Sequence, residues 1–144
     1  MLKEEIERIK KESPDGLEAR RGGCRFCGQI ASIEAPPEWG QSFCDELATE
    51  CCGCVESTTY AMKKNQKERA IKAIGKQFGE EAEENRVEEC IIELLEMAAE
   101  QIVEDRIASV TMDFGNGLKA KLAITGKGLV KVERTRTEKA AQEA

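Results

Sequence analysis

The sequence contains no histidine. That absence removes metal sites built on mixed cysteine and histidine ligands, the Ser-His and Cys-His nucleophile pairs, and any imidazole general base. Aromatic residues are few, with one Trp, one Tyr and four Phe in 144 residues, so a core has to be assembled mainly from aliphatic side chains. No apolar run approaches the roughly 20 residues needed to cross a bilayer. The segment Met1–Ile9 has no apolar stretch of the kind a secretory signal carries, and a soluble, cytoplasmic protein is expected. Positive charge is in the minority: 22 Lys and Arg against 28 Asp and Glu give a formal net charge of -6. This argues against the basic footprint of a nucleic-acid binder, because neutralising phosphates supplies most of that affinity.

What the sequence does have is cysteine. Six of the seven cysteines lie between Cys24 and Cys54, in a stretch poor in large apolar side chains. Such a stretch cannot offset its chain entropy by burial alone and needs a staple. In a reducing compartment, clustered thiols read as metal ligands rather than disulfides, and an odd total fits that reading better than complete pairing. Without histidine the donors have to be cysteine or carboxylate. Four thiolates around one structural zinc ion supply the staple, since tetrahedral sulfur coordination contributes folding energy directly.

Cys24-Arg25-Phe26-Cys27-Gly28 has the form of a zinc knuckle. Two residues between thiolates let a tight turn aim both sulfurs at one point, and the glycine that follows permits the turn's unusual dihedral. The second pair comes from Cys44, Cys51, Cys52 and Cys54. Cys51 and Cys54 sit three apart, as on a first helical turn; Cys52 and Cys54 form a C-x-C just before a helix. Adjacent Cys51 and Cys52 cannot easily both face one metal, so one of them is a bystander.

The spacing of Leu2, Ile6 and Ile9 predicts a short amphipathic helix over 2–12, stopped by Ser13-Pro14-Asp15-Gly16. Arg20-Arg21-Gly22-Gly23 reads as a flexible basic approach to the knuckle. Pro36-Pro37-Glu38-Trp39-Gly40 reads as a loop with one aromatic, Trp39, that either covers the knuckle or meets a partner. After Cys54 a lysine-rich helix of about 20 residues runs to Phe78 and is ended by Gly79. From Glu80 to Asp105 the sign reverses. Val87, Ile91, Leu94, Leu95, Ala98 and Ile102 predict one strongly amphipathic helix there, with Cys90 a small buried hydrophobe beside the stripe. The period then drops to two in three runs separated by Asn116-Gly117 and Gly126-Lys127-Gly128, which predicts a three-stranded antiparallel meander covered by that helix. Residues 135–144 read as a frayed tail.

The expected fold class is therefore α+β: an N-terminal four-cysteine zinc-knuckle or treble-clef-like module over residues 1–60, then two central helices of opposite charge and the meander over 61–144. No nucleophile and base combination suggests an enzyme. The glycine turns lack the spacing of phosphate loops, and the carboxylates of the acidic run read as a solvated face.

Cys24-Arg25-Phe26-Cys27-Gly28-Gln29, followed by Glu46-Leu47-Ala48-Thr49-Glu50-Cys51-Cys52-Gly53-Cys54, resembles small zinc-knuckle proteins carried by phages and prophages of Gram-positive bacteria. The resemblance implies Cys24, Cys27, Cys52 and Cys54 as the zinc ligands, with Cys51 extra. It also implies a mobile element acting inside a bacterial host, where small proteins of this kind bind and block a host protein; some zinc-containing ones resemble inhibitors of CRISPR nucleases. The expected role is a non-enzymatic protein-interaction module. The alternative is a nucleic-acid-binding or transcription accessory protein that uses Arg20, Arg21, Arg25, Lys63, Lys64, Lys67 and Lys72 on phosphates.

Overall fold

In the computed structural model, which describes residues 2–137, the chain is α+β. Its elements run α1 (Leu2–Glu12), β1 (Glu18–Gly23), β2 (Ile30–Ala35), α2 (Gln41–Cys51), α3 (Val55–Phe78), a short 3-10 helix (Glu80–Asn85), α4 (Glu89–Val103), β3 (Ser109–Asp113), β4 (Leu118–Ile124) and β5 (Val130–Arg136). It divides into two compact units, Met1–Asn65 and Gln66–Ala144, with the boundary inside α3.

In the first unit, Arg20–Gly23 is not a flexible approach. Glu18–Gly23 pairs antiparallel with Ile30–Ala35, in a register running from Glu18 opposite Ala35 to Gly23 opposite Ile30. The Cys24–Gln29 turn is the tip of that hairpin, closed by Cys24 N–H donating to the Gln29 carbonyl at 3.0 Å. α2 lies in a stretch for which the apolar spacing alone predicts no helix. Its buried side is Cys44, Leu47 and Ala48, a three-and-four spacing that becomes visible once Cys44 is counted as an apolar residue. α2 packs against β1 so closely that a Cβ on Gly22 would collide with the Cys44 carbonyl oxygen. Apolar burial in this unit is thin: among the described residues, Leu47 is its only large aliphatic side chain in the core.

α1 contributes no fully buried residue. It is held by its end instead: the Leu2 and Lys3 amides each donate to the Glu50 carboxylate at 3.2 Å, satisfying two of the free N–H groups at a helix start. The Trp39 ring leans on Phe43 at 5.7 Å.

The second unit is a sheet of order β3-β4-β5, antiparallel throughout. Its core joins Ala70, Ile74 and Phe78 of α3, Ile92, Leu95, Ala98, Ala99 and Ile102 of α4, and Leu118, Ala120 and Leu122 of β4. Burying each large aliphatic or aromatic side chain here stabilises by about 1.5–3 kcal/mol. The meander follows the period-two reading. Residues Thr135 and Arg136, expected in the tail, belong to β5, and the rest of that tail, 138–144, lies outside the described residues.

The acidic segment is broken rather than continuous. A 3-10 turn with Glu83 at φ 53° occupies Glu80–Asn85, Val87 N–H bonds back to the Phe78 carbonyl, and the α-helix starts only at Glu89. Four glutamates in Glu80–Glu84, crowded at helical spacing, repel one another and disfavour a regular helix there. Cys90 is exposed, not buried, because the buried stripe of α4 follows Ile92, Leu95, Ala98, Ala99, Ile102 and Val103 and position 90 falls on the opposite side. Leu94, expected on that stripe, is 49% exposed. The two charged helices meet through Lys67 and Glu100 at 3.0 Å.

Candidate metal centre

Four sulfurs converge in the first unit. The hairpin tip carries Cys24 and Cys27; the link from α2 to α3 carries Cys52 and Cys54. The Sγ atoms of these four residues lie within 4.8 Å of one another, with Cys24 to Cys54 at 3.9 Å and Cys27 to Cys52 at 3.6 Å. Zinc–sulfur bonds of about 2.3 Å in a tetrahedron require sulfurs roughly 3.8 Å apart, so the set has the size such an ion needs. The donor chemistry, all sulfur, suits zinc or another thiophilic ion.

The backbone builds the site from both sides. Gly28 takes φ +75° and donates to the Cys24 carbonyl at 2.9 Å, a turn that an L side chain would strain. It leaves successive amides pointing at sulfur. Donation from the Cys27 amide, then from the Ser57 hydroxyl, pulls the Cys24 thiol down to about 6. Cys27 accepts from the Gln29 amide, which favours its thiolate, yet the Cys52 sulfur beside it and burial together push it up to about 11. Cys54 is lowered by the Ser57 hydroxyl and amide. Four adjacent sulfurs cannot all ionise alone, so they share charge unequally. A bound dication would let all four be thiolates.

Ser57 is the residue that sequence reasoning missed. It is fully buried, 2.9 Å from Cys24 Sγ and 3.1 Å from Cys54 Sγ. The available signal was a serine three residues after Cys54, on the first turn of α3. Cys44 and Cys51 stand apart from the four sulfurs: Cys44 is buried in the α2 core and Cys51 is exposed. Burial of part of its surface raises Cys51 above the usual thiol value.

Around the four sulfurs a polar network ties the hairpin tip to the helices. Arg25 N–H donates to Thr49 Oγ1 at 3.1 Å, and its guanidinium to Glu46 at 2.9 Å while lying 4.9 Å over the Tyr60 ring. Tyr60 Oη donates to Glu46 at 2.6 Å. Lys64 bridges Glu46 at 2.7 Å and Glu50 at 2.9 Å. Burial alone would raise Glu46, but the Lys64 and Tyr60 hydrogen bonds outweigh it and hold that carboxyl below its usual range.

At least four of the seven basic residues named for phosphate contact have partners within the chain. Arg20 donates to the carbonyls of Pro36 at 3.3 Å and Trp39 at 3.0 Å; Arg25, Lys64 and Lys67 are paired with carboxylates as described. No helix among the described residues is long and apolar enough to cross a membrane. No family model, no curated protein and no solved structure matches the chain.

Proposed function

We propose that this chain is a structural zinc protein whose metal-stapled first unit serves a protein-binding role rather than catalysis. One observation carries the proposal: Cys24, Cys27, Cys52 and Cys54 set four sulfurs within 4.8 Å of one another, a complete shell with no position left for substrate, whereas a catalytic zinc keeps one open. The hairpin tip with its amide-supported C-x-x-C, followed by a second pair at a helix start, supports reading the site as a zinc knuckle in a treble-clef-like setting. A structural zinc ion supplies on the order of 10 kcal/mol to small folds of this kind, far more than the burial of Leu47 can.

The acidic balance and the intramolecular pairing of Arg20, Arg25, Lys64 and Lys67 favour a protein partner over nucleic acid. A partner with a cationic surface fits best, and a nucleic-acid enzyme of a bacterial host, such as a CRISPR nuclease, is the kind that the resemblance supports.

The test starts with elemental analysis of untagged protein. One zinc per chain, lost to chelator with loss of structure in the first unit, supports the reading; absence of stoichiometric metal overturns it. Electrophoretic shifts with mixed DNA and RNA across salt address the partner class. Tight binding with a steep salt slope would move the assignment to nucleic acid.

A further inference from the structure

The solvent side of α4 carries an apolar stripe that is left exposed among the described residues. Cys90, Leu94 and Met97 fall at i, i+4 and i+7, and so share one face. Cys90 is exposed, Leu94 is 49% exposed and Met97 60% exposed. The opposite face of the same helix is fully committed to the core through Leu95, Ala99 and Ile102, so α4 cannot rotate to hide the stripe without emptying that core.

Along one flank of the stripe run Glu89, Glu93 and Glu96. None of these three carboxylates has an ion pair among the described residues; on the same helix, by contrast, Glu100 is engaged with Lys67. α4, ECIIELLEMAAEQIV, contains no lysine or arginine. The face is thus apolar down its middle and uniformly negative on its edge.

We propose that this face of α4 is a docking surface for a protein segment of complementary pattern, an amphipathic helix whose apolar stripe is edged by lysine or arginine. Charge selects this occupant. A second copy of the chain would bring another α4 with no cation to meet Glu89, Glu93 and Glu96, leaving carboxylates next to a desolvated contact. A basic helix instead buries Leu94 and Met97 while its cations meet the glutamates, with the unbranched, polarisable Met97 adapting to the fit. The proposal rests on the protein-interaction reading above, but assigns the contact to the second unit, whereas the four cysteines belong to the first.

The experiment uses the full zinc-loaded chain and three synthetic helical peptides: one with leucines at i, i+3, i+4 and i+7 flanked by lysines, one of the same composition with the leucines scattered, and one with glutamate in place of lysine. Backbone amide NMR shifts are followed during titration. The lysine-flanked striped peptide is expected to bind, with shifts concentrated on α4. The scattered and glutamate peptides are expected to bind at least tenfold more weakly. Leu94→Ser with Met97→Ser, both at exposed positions, should weaken binding at least tenfold at unchanged circular dichroism, and Glu89→Gln, Glu93→Gln, Glu96→Gln should flatten the salt dependence. Equal binding of the scattered peptide, shifts confined to other elements, no binding at all, or a dimer in sedimentation that Leu94→Ser and Met97→Ser dissolve would each overturn the proposal. A chain that lacks zinc but binds the striped peptide on α4 would sink the structural-zinc reading and leave this one standing.

Discussion

The hydroxyl oxygen of Ser57 lies 2.9 Å from the sulfur of Cys24, and that contact joins the hairpin tip to the start of α3. The same oxygen lies 3.1 Å from the sulfur of Cys54, so its one proton is within reach of two sulfurs of the cluster. In a metal-loaded centre the same hydroxyl would orient a ligand sulfur and offset its charge. Removing such a partner typically weakens metal binding 10- to 100-fold. Ser57→Ala should therefore lower zinc affinity by about that range while keeping one ion per chain at saturating metal. Competition with a chromophoric chelator reads this directly; unchanged affinity would reduce Ser57 to a packing residue.

Cys27→Ser and Cys51→Ser form a matched pair. The first removes one of the four converging sulfurs, the second an exposed thiol one residue from the ligand set. Cys27→Ser is expected to lose bound zinc and raise amide exchange across residues 20–60 while the β3–β5 amides stay protected. Cys51→Ser is expected to keep both zinc and protection. Equal metal content in the two variants would count against the assignment of ligands.

Glu46 supplies a pH signature. Its carboxyl titrates below the ordinary value of 4.5 in the folded protein, since the Lys64 and Tyr60 hydrogen bonds outweigh the effect of burial. A depressed folded pKa means the unfolded chain binds the proton first as acid is added. The stabilisation is then complete above 4.5 and disappears as pH falls through the lower folded value. Glu46→Gln should cost about 1–3 kcal/mol at neutral pH, with the gap between variant and wild type closing in acid. Urea titrations of both proteins at each pH measure the gap, and a gap that persists in acid would refute the ion-network account.

At Gly22 the fit of β1 against α2 leaves no room for a methyl group, because the nearest obstacle is the Cys44 carbonyl rather than a movable side chain. Gly22→Ala should destabilise by about 1–3 kcal/mol through displacement of α2. Chemical denaturation tests this, and a neutral result would show that the helix can shift freely.

The second unit stands on aliphatic packing. Leu95→Ala deletes a fully buried side chain of its core and is expected to cost about 2–5 kcal/mol. The zinc content of the folded protein should be unchanged. Loss of metal in this variant, while the fold persists, would show that the centre draws on the second unit.

Regular periodicity was readable where one physical requirement dominated. β3, β4 and β5 alternate because a sheet with one covered face demands it, and α1 and α3 show the spacing of helices stopped by Ser13-Pro14-Asp15-Gly16 and Gly79. The segment from Ile30 to Cys51 was not readable in the same way. There cysteine served two purposes, as ligand and as small hydrophobe, so the stripe through Cys44, Leu47 and Ala48 was obscured. The glutamate-rich stretch misled in the other direction: its apolar spacing suggested a single helix, while crowded like charges and the return of Val87 to Phe78 broke it.

What the amino-acid order determined alone was the existence of a thiol cluster, the turn at Cys24–Gly28 and the split between a thiol-rich part and an aliphatic part, because residue type, glycine placement and hydrophobic period are local properties. Residue spacing left open which cysteines converge, and only the resemblance pointed to Cys52. Cys52 rather than Cys51 reaches the other sulfurs, Ser57 joins them, Glu50 receives the start of α1, and Cys90 turns outward, since each depends on where a helix end or a helix face arrives in space. Those positions follow only when β1, α2 and α3 pack together and when the core chooses one side of α4.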